Sequence, residues 1–255
     1  MIVKIKSSQG AMHKQGSDEA PDKIVECLKQ IYANENGWII NEEIKEIEIN
    51  KNNIEETNDN IEQFSEKHDA IFLGGDHSIT YPLFKGFAKR NKNAGLVIFD
   101  AHPDCVNNFT PPTHEDFVKV LVAEGIVQPQ NIILVGLRNW HRKEIEFLKE
   151  KKIKYFTMKQ LFNDLNEVGS SIMELAREFE SLYLSIDIDV IDPAFAPGTG
   201  HCEPGGLTSR EFLSFIQRFK LLKNLKSVDI VEVNPSKDVN DMTSKLAAKI
   251  INELK

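Results

Sequence analysis

The chain has 255 residues, 41% of them hydrophobic, and a formal net charge of −8. That length holds one large α/β domain or two small ones with a sizeable core. The acidic balance excludes a nucleic-acid partner, no apolar run approaches a membrane span, and three widely spaced cysteines (Cys27, Cys105, Cys202) support neither disulfides nor a structural zinc knuckle.

Residues 2–6 alternate apolar and charged side chains as a short strand does. Residues 7–22 are polar loop, and Pro21 suits the first turn of a helix reaching about Tyr32. Residues 38–40 and 44–49 read as strand pieces, and 53–66 as a surface helix. A strand over 70–73 meets Gly74-Gly75 and then a helix over 78–89. Strand 96–99 leads into a loop through Pro111-Pro112, after which Thr113, with Asp116 three residues on, forms a variant capping box for a helix to about Glu124. Strand 131–136, helix 143–151 and strand 153–156 follow, then a helical stretch 158–179 broken near 163–166. Strand 182–188, a long Pro/Gly loop, helix 209–219, strand 227–233 and a closing helix within 237–254 complete the chain. Strands alternating with helices predict a mainly parallel sheet of about eight strands covered on both faces, a single three-layer α/β/α domain over 1–255. In such sheets the ligand site lies outside the carboxyl edge.

The charged residues agree with that placement. Asp187 and Asp189 end an apolar strand two residues apart, so they share a face. Asp100, His102 and Asp104 end another strand with the same spacing, and Gly-Gly-Asp-His ends a third at His77. Neighbouring carboxylates repel and lose solvation at a strand end, so a cation must hold them, and a hard metal ion is the best candidate. Four aspartates and two histidines exceed the needs of one ion and suit two ions sharing bridging carboxylates. Asp76 and Asp192 read as turn and cap residues, and His13, His68 and His201 as surface or loop residues. Cys105 and Cys202 read as wall residues beside the site.

Five blocks in order, GGDHS (74–78), DAHPD (100–104), SIDIDVIDPAFAPGTG (185–200), EPGGLT (203–208) and VEVNP (231–235), resemble the ureohydrolases, the family of arginases, agmatinases and formimidoylglutamases. The resemblance implies the arginase/deacetylase-like fold and two Mn2+ per subunit. One ion would take His77, Asp100, Asp104 and Asp187, and the other His102, Asp100, Asp187 and Asp189. A hydroxide bridging the ions would attack a guanidinium carbon, releasing urea and an amine. Asp104 would help stabilise the tetrahedral intermediate, His114 would match the proton-shuttling histidine, and Glu232 the carboxylate that pairs with the guanidinium.

The pattern also departs from the family. The loop from Asp104 to His114 has the length of agmatinases rather than arginases, leaving Asn108 among few polar donors for a substrate. His141 stands where an arginase places an aspartate, Glu144 matches a nearby acid, and Trp140 is positioned to line an alkyl pocket. A small cationic guanidino compound, agmatine-like rather than arginine, is the expected substrate. The alternatives are formimidoylglutamase or another C–N hydrolase of the fold, and a non-catalytic metal-binding member. The N-terminal stretch has no long apolar core of a signal peptide, which predicts a cytoplasmic protein, and the resemblance implies a homo-oligomer, trimer or hexamer.

Overall fold

The computed structural model describes residues 1–12 and 16–255, so His13 lies outside the described residues. Apolar runs too short for helices become strands: β1 (Ile2–Lys4), β2 (Ile44–Glu46), β3 (Ile71–Leu73), β4 (Gly95–Phe99), β5 (Ile132–Leu137), β6 (Lys154–Thr157), β7 (Leu182–Asp187) and β8 (Leu225–Val231). They form one sheet in the order β2-β1-β3-β8-β7-β4-β5-β6, and every neighbouring pair is parallel. The central strands are mainly apolar because helices cover both faces, with Ser185 and Asp229 as buried polar exceptions on β7 and β8.

On one face, α1 (Ala20–Leu28), α6 (Met158–Asn163), α7 (Leu165–Arg177), α8 (Ser209–Phe219) and α9 (Met242–Leu254) pack over Val97, Phe99, Leu184 and Ile186. Phe99 is met there edge-on by Phe212 and Phe219 of α8, at centroid separations of 5.2 and 5.7 Å. Each buried phenylalanine contributes about 1.5–3 kcal/mol. On the other face, α2 (Ile54–Ser65), α3 (Thr80–Arg90), α4 (Phe117–Ala123) and α5 (Arg142–Lys151) cover Phe72, Leu96, Ile98 and Tyr183.

Local chemistry sets many helix starts. Asn53 accepts the Glu56 N–H ahead of α2, and Thr208 and Glu211 form a reciprocal capping box at α8. Asp164 caps α7 and so makes the expected break between α6 and α7. Three expectations need correction. Residues 38–40 form no strand: β2 occupies the sheet edge, and Asn34 instead closes a turn by accepting the Trp38 N–H, leaving Trp38 and Ile39 exposed. Helix α1 stops at Leu28, where Gln30 and Ile31 bond back only three residues. Thr113 caps no helix: its N–H and hydroxyl both bond Asp116 Oδ1 at 2.6 Å, and α4 begins after Asp116.

The strand order has one consequence for function. It lays β3, β8, β7 and β4 side by side, so the residues after those four strands meet at one rim. No helix among the described residues is long and apolar enough to cross a membrane.

Candidate metal centre

The expected strand alternation is not what gathers the acidic residues. Strand β4 ends at Phe99 and β7 at Asp187, so Asp100, His102, Asp104 and Asp189 lie beyond the strands. Tight turns collect them instead. Asp100 Oδ1 accepts the His102 N–H at 2.6 Å, Asp187 Oδ1 accepts the Asp189 N–H at 2.8 Å, and Asp189 Oδ1 accepts the Ala101 N–H at 3.0 Å. Asp104 sits at φ 50°, a left-handed conformation that costs a non-glycine residue on the order of 1–3 kcal/mol. Gly75 is required for a different reason: a Cβ there would meet the Ser7 carbonyl oxygen at 1.7 Å, where the loop after β1 crosses the site.

Two donor groups result, His77–Asp100–Asp187 and Asp100–His102–Asp189, with Asp100 in both and the ligating atoms of each within 4.8 Å of one another. His77 Nδ1 stands 3.1 Å from Asp100 Oδ2, 3.1 Å from Asp104 Oδ2 and 3.3 Å from Asp187 Oδ2. His102 Nδ1 stands 3.0 Å from Asp189 Oδ2 and 3.4 Å from Asp100 Oδ1. His77 Nδ1 is buried and makes no hydrogen bond despite three oxygens around it, as suits a lone pair aimed at a cation.

The electrostatics point the same way. Burial, then the charge of Asp100, pushes the Asp104 carboxyl up to about 8, and burial with the charges of Asp189 and Asp100 pushes Asp187 well up. These carboxylates cannot all stay ionised without positive charge among them. Carboxylate oxygens with one imidazole per group suit manganese or a similar ion better than a thiolate-seeking one. Neither thiol joins the groups: Cys105 is buried with Sγ 4.0 Å from the Glu144 carbonyl oxygen, and Cys202 is exposed with Sγ 3.5 Å from that of Pro197.

Beside the two groups, Glu232 follows β8 at φ 61°, and its N–H donates to the Gly75 carbonyl at 2.8 Å. Its Oε1 accepts the His77 N–H at 2.8 Å and lies 3.0 Å from His114 Nδ1, while Oε2 is buried with no hydrogen-bond partner. His114 Nε2 accepts the Met12 N–H at 3.2 Å, so Nδ1 carries the proton that reaches Glu232. Burial alone would lower the His114 pKa, but the hydrogen bond and charge of Glu232 outweigh it and hold it at about 9. These two demands conflict. A second proton must enter at Nε2, which the Met12 amide occupies, so protonating His114 displaces that amide.

An open cavity of about 230 Å³ adjoins these groups. Trp140 and Glu144 line it; Asn108 is exposed and is not among the lining residues. Glu144 is already engaged, accepting the Cys105 N–H at 3.0 Å and the His141 N–H at 2.7 Å. Asp76 and Asp192 serve turns as expected, Asp76 accepting from Ser78 and Gly10 and Asp192 from Ala194, Gly205 and Gly206. His201 is an exposed loop residue, yet it lines the cavity with its ring 5.6 Å from that of His102 and 5.9 Å from that of His114. Glu115 and Glu203 also line it. Their sequence signal is adjacency alone, to His114 and to the Pro/Gly loop. Arg138 pins that loop, donating from Nη2 to the carbonyls of Asp189 and Glu203 at 2.6 Å each.

Fold and site define a class of α/β/α protein built around a rim of aspartates and histidines, able to hold metal ions, at the carboxyl edge of a parallel sheet. The chain belongs to the arginase family, whose model matches residues 1–255. It is 32% identical to an arginase from Staphylococcus aureus (strain MRSA252) over 71% of this chain and 65% of that one. It is also 32% identical to an agmatinase from Bacillus subtilis (strain 168), over 71% of this chain and 61% of the relative. These matched segments thus span less than two thirds of either relative's length. A crystal structure of formimidoylglutamase from B. subtilis superposes with a TM-score of 0.92 at 25% identity, covering 99% of this chain and 84% of that one.

Proposed function

We propose that the chain, acting as one unit over 1–255, is a binuclear manganese hydrolase that cleaves a guanidino compound to urea and an amine. One ion would be held by His77, Asp100, Asp104 and Asp187 and the other by His102, Asp100, Asp187 and Asp189. When bound there, the metal pair supplies a water acidified to react near neutral pH. The observation that carries the reading is the Glu232 carboxylate: Oε1 is fixed by His77 and His114, and the buried Oε2 is left for a substrate N–H. A guanidinium presents such a donor, and a charge-assisted bond to it orients the planar carbon over the donor groups. Asp104, one of the carboxylates that would hold the first ion, would help stabilise the tetrahedral intermediate. His114 delivers a proton to the leaving amine once the Met12 amide has moved from Nε2.

The cavity wall favours an agmatine-like substrate over arginine. No lysine or arginine lines it among the described residues, so no such side chain there pairs with a substrate carboxylate. Glu115 lines it without any hydrogen bond or ion pair of its carboxylate among the described residues, which favours an ammonium tail. The likeness to formimidoylglutamase keeps a formimidoyl substrate as the second reading, against which the same wall argues. The family resemblance further supports a cytoplasmic homo-oligomer, which light scattering on the purified protein would read. The test of function is urea release by manganese-loaded protein from agmatine, arginine and shorter guanidino acids, with formamide assayed in parallel on formimidoylglutamate. Formamide without urea moves the reading to the second branch, and neither product from any substrate refutes it.

A further inference from the structure

We propose that Ser185 and Asp229 are positioning residues for the metal centre, fixing His77 as the tautomer whose Nδ1 is bare. The inference rests on His77 being a metal ligand. Ser185 on β7 and Asp229 on β8 are register partners in the sheet, and both are fully buried beneath the rim. Ser185 Oγ lies 2.9 Å from His77 Nε2 and 2.7 Å from Asp229 Oδ1. Asp229 Oδ2 lies 2.9 Å from the Thr80 hydroxyl and 2.9 Å from the Tyr183 hydroxyl.

The direction of each bond follows from counting protons. Asp229 meets three hydroxyls, and as a carboxylate it accepts from all of them. Burial pushes its carboxyl up, and the hydrogen bonds from the Ser185, Tyr183 and Thr80 hydroxyls oppose that push. The single Ser185 proton therefore goes to Asp229. Thr80, 3.4 Å from Ser185 Oγ, has likewise spent its proton on Asp229. Ser185 Oγ is then left only as an acceptor for His77, so the imidazole proton sits on Nε2 and the lone pair on Nδ1. That nitrogen is the one 3.1–3.3 Å from Asp100, Asp104 and Asp187. A carboxylate buried in the middle of an apolar strand thus acts on an ion it never touches. Such outer partners set the orientation and basicity of a ligating imidazole, and losing one weakens metal binding about 10–100-fold.

The test is a calorimetric titration of manganese into chelator-stripped protein, comparing the natural chain with S185A, S185T and D229N. Electron paramagnetic resonance on the same samples separates an isolated ion from a coupled pair. The natural chain is expected to take two ions. S185A should weaken one of them about 10–100-fold and leave the other unchanged, so that a substoichiometric range shows the isolated-ion signal; S185T, keeping the hydroxyl, should recover most of the loss. D229N provides the same readout should S185A fail to fold, which melting of the metal-free protein reveals. Two ions bound by S185A or D229N with natural affinities, or both ions weakened equally, overturns the inference. A natural chain that binds no manganese instead overturns the reading of His77 as a ligand.

Discussion

Replacing Glu232 with glutamine changes one charge and almost no volume, which makes it the sharpest probe of the site. The side chain is buried, with Oε1 held by the His77 N–H and His114 and Oε2 unpartnered. An amide oxygen can keep the His77 and His114 bonds, but the other position then becomes a donor facing the donors of a guanidinium. A hydrogen bond to a charged group contributes about 1.5–3 kcal/mol, so kcat/KM should fall roughly 10- to 150-fold, with added loss from the donor–donor clash. Glu232 is also what holds the His114 pKa up at about 9. With the charge gone, burial lowers that value, and the acid-dependent limb of the rate profile should move to lower pH. The assay is urea release against pH for both proteins, with thermal melting as a control for folding. An unchanged kcat/KM, or a reduced one with an unmoved pH profile, refutes the pairing of Glu232 with substrate and His114.

Other outcomes follow from the same geometry. In metal-free protein the folded state binds more protons than the unfolded, because Asp104, Asp187, His77 and His102 are all raised. Stability should therefore fall as pH rises from about 5 to 8, by about 1.4 kcal/mol per pH unit for each extra proton. Manganese should raise the melting temperature more at pH 8 than at pH 6, whereas a metal-free melting temperature that is flat or rising over this range contradicts the crowded carboxylates. E115Q should raise KM for agmatine roughly 1.5- to 5-fold while sparing kcat and an alkylguanidine lacking the ammonium; equal effects on both substrates would remove Glu115 from tail recognition. E144Q leaves one of two backbone donors, Cys105 N–H or His141 N–H, without its acceptor, at a cost of about 1–3 kcal/mol. A denaturant midpoint equal to that of the natural protein would show the loss to be absorbed elsewhere.

Much of this protein is written locally in its chain. The apolar runs of β4 and β7 and the carboxylates that follow them are visible because a strand end and a costly charge are both short-range facts. The cap at Asn53, the Thr208–Glu211 box and the break at Asp164 are equally local, since each is a side chain bonding a backbone group two or three residues away. Even so, the same-face spacing proposed for Asp100, His102 and Asp104 is replaced by turns, because β4 has already ended and the backbone N–H of His102 bonds to Asp100 instead of continuing a ladder.

What no local pattern contains is which strand lies beside which. Strand β8, last in sequence, inserts between β3 and β7, and this single choice brings Glu232 against Gly75 and His77 and sets Asp229 beneath Ser185. The loop after β1 likewise reaches His114 through a contact 102 residues away in the chain. Parallel neighbours are selected by how whole helix-covered strands pack, an energy summed over the entire core. The chain alone therefore determined which residues carry the charge, and the assembled sheet decided which of them touch.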